Sequence, residues 1–317
     1  MMTGQSSIHN APSHKTIMPF YQARGILLVH IPKTGGSWVD RMLTTANGKG
    51  VKPLFKTSWT DFCAGQHEAR GFATSEQHLT LSDVLRRCGP ALIPEVREVW
   101  FVTRHPTARL LSEYVYLKRH VLSRLEDDSA ARFGGADFAS IRFDTFRNFC
   151  FTAHFAAQRN PAVADGHFRP QCAYLRLQNG ARIEQVFPSA VVRAFRFEAF
   201  PDVYRHVARV WRRAGLEWSP RQEQVAVTRL STATKKREII NLDRATLALI
   251  HHWFRDDFSF FGYDPHQHTF PDYPTRFVDD DDVVVARTVT HKSEAPFIAT
   301  RHSPTPCTGG PICGTHT

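Results

Sequence analysis

The chain has 317 residues, 42% of them hydrophobic, enough to bury the core of one large α/β domain or two small ones. Lys and Arg number 40 against 30 Asp and Glu, and the resulting +10 favours an anionic partner, yet the basic residues are scattered rather than gathered into a nucleic-acid arm. No apolar run reaches the roughly 18 residues of a membrane-spanning helix, and residues 1–24 lack a signal peptide's apolar core and cleavage site, so a soluble, cytoplasmic protein is expected.

In chain order, Gly25 to Ile31 (GILLVHI) is a continuous apolar run of strand length, the pattern of a buried parallel strand. A Pro-Lys-Thr-Gly-Gly turn follows, and Ser37 to Thr45 has helical spacing with Trp38, Val39, Met42 and Leu43 on one face. Thr80 and Asp83 read as a capping box opening a helix that Gly89-Pro90 stops. Glu98 to Thr103 (EVWFVT) is a second strand, with Pro106 opening the next helix. Ser129 to Phe168 is mixed and helical in part. Further on come a strand at Val191–Phe197, an amphipathic helix at Pro201–Ala214 and one long helix at Leu242–Phe258. Alternating strands and helices predict an α/β, P-loop-like three-layer fold, a central parallel sheet flanked by helices. The expected boundaries are an N-terminal extension at 1–24, the domain at 25–264 and a largely disordered tail at 265–317, rich in Pro, Thr, His and Asp. The six cysteines include no CxxC pair, so neither a zinc site nor a disulfide framework is expected.

The stretch His30-Ile31-Pro32-Lys33-Thr34-Gly35-Gly36-Ser37-Trp38 carries the most chemistry. Glycines after a buried strand let the backbone curl so that several N–H groups face one anion, and the following helix adds its positive end. Lys33 supplies a mobile charge; Thr34 and Ser37 supply hydroxyls. The lysine precedes the glycines and no Lys-Ser/Thr pair closes the loop, which departs from the GxxxxGK[ST] pattern of nucleoside triphosphatases and leaves a P-loop kinase without its magnesium hydroxyl. Arg104, in Arg104-His105-Pro106-Thr107-Ala108-Arg109-Leu110-Leu111-Ser112-Glu113-Tyr114, sits at the C-terminal end of the second strand, the edge where α/β sheets bind ligands. Its guanidinium can hold a phosphate bidentately, and Ser112, about two turns into the helix, can share it. Arg109 has an equal claim to a structural ion pair.

PKTGGS resembles the 5′-phosphosulfate loop of sulfotransferases that use 3′-phosphoadenosine 5′-phosphosulfate (PAPS), particularly the bacterial-type, carbohydrate-acting heparan sulfate 2-O/6-O-like branch. The Arg104–Tyr114 segment resembles that family's 3′-phosphate motif, Arg-x-Pro-x-x-Arg-x-x-Ser-x-Tyr. Three weaker features keep the family's order: His167-Phe168-Arg169-Pro170-Gln171, Phe197-Glu198, and the basic loop Thr232–Arg237, where Lys236 and Arg237 would close over the nucleotide. The resemblance implies PAPS as donor, no metal, a carbohydrate hydroxyl as acceptor, and a cofactor site of Lys33, Thr34, Gly35, Gly36, Ser37, Trp38, Arg104 and Ser112. It implies that Lys33 stabilises the leaving phosphate oxygen.

In-line transfer also needs a base for the acceptor proton, and His suits that near neutral pH. Among 17 histidines His78 is the first candidate, because His78-Leu79-Thr80-Leu81-Ser82-Asp83-Val84 resembles the His-x-x-x-Thr-Glu-Leu element of the 6-O-type enzymes. His67, with Glu68 beside it, is the second. Two other classes stay open: a P-loop kinase, disfavoured by the missing Lys-Ser/Thr, and a non-catalytic anion- or glycan-binding module, which would need no base.

Overall fold

The computed structural model describes residues 20–21, 24–45, 73–120, 135–177, 180–213, 239–270, 273, 275–278 and 284–285. Its main sheet has four strands in the order β1 (Phe20–Tyr21), β2 (Ile26–Val29), β3 (Glu98–Thr103) and β4 (Val191–Arg196). β2, β3 and β4 run parallel, and β1 pairs antiparallel with β2, Tyr21 opposite Ile26.

Side-chain alternation divides this sheet cleanly. Leu27, Val29, Val99 and Phe101 face one apolar cluster, shared with α2 (Leu81–Cys88) and the short α6 (Ile183–Val186). Ile26, Leu28, Trp100 and Val102 face another, built with α1 (Gly36–Thr45) and α7 (Phe200–Arg213). Both faces are therefore covered, which explains the unbroken apolar runs of β2 and β3. A third cluster packs α3 (Pro106–His120), α4 (Gly135–Ala139), α5 (Phe146–Arg159), α8 (Arg244–Trp253) and α9 (Arg255–Phe261) around Phe149, Phe168 and Phe254. The result is a mixed α/β fold with a mainly parallel central sheet between helices, as the alternation of elements predicts.

The capping box forms as read: the Thr80 hydroxyl accepts from the Asp83 N–H at 3.2 Å, and the Asp83 carboxylate accepts from the Thr80 N–H. Each such cap is worth about 1 kcal/mol. Gly89 (φ 69°) then stops α2. The C-terminal part differs from its sequence reading, and Leu242, read as the start of a helix, closes a strand. The helix expected over Leu242–Phe258 is two helices that break at Phe254 (φ −110°, ψ 24°). Phe254 is buried and stacks on Trp253, and the break turns α9 so that its Asp257 carboxylate reaches the backbone of Gln171 and Cys172. A second small sheet has the order β5 (Ile240–Leu242), β6 (Thr275–Val278) and β7 (Val284–Val285), with Ile240 and Leu242 in the third apolar cluster.

Candidate active site

β2 ends at Val29, and the chain turns through Pro32–Gly35 into α1. Lys33 adopts φ 64° and Gly35 φ 93°. A non-glycine residue in the left-handed region costs about 1–3 kcal/mol and persists where the surroundings hold it. Here the Thr34 hydroxyl donates to the Ile31 carbonyl at 2.8 Å, and the Trp38 N–H donates to the Gly35 carbonyl at 2.9 Å. A Cβ on Gly36 would overlap the His30 ring, and one on Gly35 would meet Phe197 at 2.9 Å. Both glycines are thus needed for close approach, not only for backbone freedom. Ser37 is exposed at the start of α1, its hydroxyl 3.5 Å from His30 Nε2, while Trp38 packs edge-on against Phe200.

Lys33 points its ammonium over the Tyr116 ring, 3.7 Å from the centroid. Burial pushes its pKa down to about 8; the Glu113 carboxylate works against that shift and the Arg104 cation adds to it. Arg104 is buried at the end of β3, its Nη1 donating to the Lys33 carbonyl at 3.3 Å and its guanidinium lying 4.0 Å over Phe197. Two cations side by side at a loop of curled backbone and a helix N-terminus suit an anion, so the chemistry of the residues present fits a phosphorylated nucleotide such as PAPS.

Two of the weaker motifs, His167–Gln171 and Phe197–Glu198, are scaffolding of that corner. Gln171 accepts from the Arg104 N–H at 2.9 Å and donates to the Arg104 carbonyl at 2.8 Å, gripping its backbone from both sides. Asp257 in turn accepts from the N–H groups of Gln171 (2.7 Å) and Cys172 (2.8 Å). Glu198 accepts from the His105 N–H at 2.7 Å. Arg109 is fully buried and, among the described residues, pairs with no carboxylate; it donates to the carbonyls of His167 (2.9 Å) and Arg169 (2.6 Å), fixing the chain that carries His167. Ser112 is half-buried on α3, next to Glu113.

Beside the loop lies a buried group of histidines and carboxylates. His78 ends a short 3-10 turn (Glu76–His78) just before the Thr80 cap. Its Nδ1 is 2.7 Å from Asp165, whose carboxylate also accepts from the Ser75 N–H (2.5 Å) and the Ser75 hydroxyl (2.6 Å). The His78 ring meets His30 and His167 edge-on, with centroids 5.2 and 4.7 Å away. His167 Nδ1 bonds Glu113 at 2.9 Å. Burial lowers the pKa of His78, against the pull of Asp165, and lowers that of His30 well below the usual imidazole range. Asp165 and Glu113 both sit below the ordinary carboxylate range; burial, the largest single influence, raises each, but His78, His167 and Ser75 together outweigh it at Asp165, and His167, Lys33 and Arg109 together at Glu113. The pair at rest is therefore a neutral imidazole on an ionised carboxylate.

His78, Asp165 and His167 also bring donor atoms within 4.8 Å of one another, close enough for a cation. Within this group His78 Nδ1 and Asp165 are joined by a hydrogen bond at 2.7 Å.

A model of the sulfotransferase family matches residues 20–264. The chain belongs to the sulfotransferase family. Comparison with curated protein sequences gives no match. Among the described residues of this sulfotransferase-family chain, no helix is long and apolar enough to cross a membrane.

Of the residues singled out from sequence, Lys33, Gly35, Gly36, Ser37 and Arg104 converge on one corner, with His78 joined to it through His30. His67, Lys236 and Arg237 lie outside the described residues. Sequence reasoning passed over Asp165, Glu113, Ser75 and Gln77. Glu113 stood inside the quoted Arg104–Tyr114 motif, and Asp165-Gly166 is a turn dipeptide, but neither spacing announces a histidine partner.

Proposed function

We propose that this family member is a PAPS-dependent sulfotransferase acting on a carbohydrate hydroxyl, with His78 as the general base. One observation carries the proposal: Lys33 and Arg104 share one corner at the ends of β2 and β3, and a neutral, carboxylate-backed His78 lies just beyond His30. Bound PAPS supplies the activated sulfuryl group. In this proposal the N–H groups of the Lys33–Ser37 turn and the start of α1 hold the 5′-phosphate end, and Arg104, with Ser112, holds the 3′-phosphate. Lys33 meets the charge that grows on the leaving oxygen, the main source of rate in transfers of this type. His78 accepts the acceptor's proton at Nε2. The carbohydrate acceptor is supported by the resemblance of PKTGGS to the glycan-acting branch and by the surplus of positive charge.

Calorimetric titration with the desulfated product, 3′-phosphoadenosine 5′-phosphate (PAP), tests the donor, with ATP and AMP as controls and no magnesium. Micromolar PAP binding and much weaker binding of the controls is the expected result. Folded protein that ignores PAP would overturn the proposal and leave an anion- or glycan-binding module on the same scaffold.

A further inference from the structure

We propose that Asp165 is a positioning residue for the reaction, holding His78 in the tautomer whose Nε2 is bare, with Gln77 covering that nitrogen until an acceptor hydroxyl displaces it. This rests on His78 being the base.

The tautomer follows from the partners. Asp165 is an ionised carboxylate and can only accept, so the hydrogen at 2.7 Å belongs to His78 Nδ1. The other ring nitrogen is then a lone pair, and the Gln77 side-chain nitrogen, 3.2 Å away, donates to it. An acceptor hydroxyl that gives up its proton must donate along that same line. Gln77 therefore occupies the place of the reacting O–H.

Asp165 is held by a turn made for it. Ala164 (φ 52°), Asp165 (φ 59°) and Gly166 (φ 75°) are three consecutive left-handed residues, two of them not glycine. That backbone is disfavoured, and backbone strain of this kind collects where a side chain must be aimed. Here it delivers a fully buried carboxylate to Ser75 and His78, about ninety positions away in sequence. Tyr174 braces the turn by donating to the Gly166 carbonyl at 2.7 Å. Were Asp165 only a tie between two segments, its bonds to Ser75 would suffice and the one to His78 Nδ1 would be superfluous. The groups facing His78 are Asp165, His167, His30 and, further off, Glu113, and Asp165 alone of these bonds its Nδ1 as a carboxylate.

The test is Asp165→Asn, which keeps the side chain's shape and removes its charge. Imidazole NMR of the PAP-bound full chain reads the tautomer without any acceptor. Turnover is read with PAPS and fully desulfated heparan sulfate. In the parent protein a low-field Nδ1–H signal is expected from His78. In Asp165→Asn that signal is lost, the His78 titration moves to lower pH, and kcat falls about 10²- to 10⁴-fold, the usual contribution of a general base. PAP affinity is expected to stay within about twofold, since the bonds of Asp165 run to Ser75 and His78 rather than to Lys33 or Arg104. An unchanged His78 tautomer and acidic limb in a folded Asp165→Asn protein would overturn the proposal. Should that variant not fold, Ser75→Ala decides: it keeps the carboxylate but removes one donor to it, and is expected to lower kcat about 3- to 10-fold, the worth of one hydrogen bond, with a shifted His78 titration. No shift and no loss in Ser75→Ala would also sink it. A His78→Ala protein that still turns over defeats the base assignment itself, a different failure from either of these.

Discussion

The two halves of the site are built by different means. The anion corner is made almost wholly of backbone and of residues close to strand ends: a curled turn after β2, Arg104 after β3, and glycines whose missing Cβ atoms let Phe197 and His30 approach. The buried histidine–carboxylate cluster is made of side chains from four separate segments, at His30, Ser75–His78, Glu113 and Asp165–His167. A charged corner that uses N–H groups and a helix end tolerates water and survives small shifts. A buried histidine on a buried carboxylate does not, because each loses most of its value if its partner moves. Binding and chemistry should therefore separate when residues are replaced one at a time.

Lys33 stands in the corner by position, and in the proposed mechanism its charge also acts on the leaving oxygen. Lys33→Ala is expected to lower kcat by about 10²- to 10³-fold, the cost of losing one donor to a developing anion. PAP affinity should fall far less. A variant whose loss lies entirely in PAPS binding would place Lys33 in the corner only, and a single-turnover experiment distinguishes the two.

A smaller effect is the pH profile of kcat/KM. As the proposed base His78 must be neutral, and its pKa lies below the ordinary imidazole value of 6.5, so the acidic limb should fall below that value. In the same proposal Lys33 must be charged, and its pKa is about 8, so activity should decline as pH rises through that value. A bound phosphate would favour the ammonium and carry the basic limb of kcat above that of kcat/KM. An acidic limb at or above 6.5 would contradict the burial that lowers His78.

How much of this was legible in the sequence follows the same division. β2, the Lys33–Gly36 turn, β3 and Arg104 are contiguous patterns, and contiguous patterns can be read. So can the Thr80–Asp83 cap, whose two partners lie three residues apart. The break at Phe254 was not legible, because Leu249, Ile250, Trp253 and Phe254 keep helical spacing straight across it. What breaks the helix is a distant demand, the N–H groups of Gln171 and Cys172 that Asp257 must reach. Asp165 was hidden for the same reason, since its worth depends on Ser75 and His78 arriving from another part of the chain. The resemblance to the family supplied His78 and the His167–Gln171 segment, while their partners emerge only in three dimensions.

Two variants, His78→Ala and Arg104→Ala, each assayed for PAP affinity and for turnover of PAPS, separate binding from chemistry in the proposed site. Predicted is a clean split: His78→Ala binds PAP as the parent does and loses turnover, whereas Arg104→Ala loses PAP affinity first, about 1.5–3 kcal/mol for a charged hydrogen-bonding partner. Full turnover in His78→Ala would contradict the claim and move the search for the base to His67.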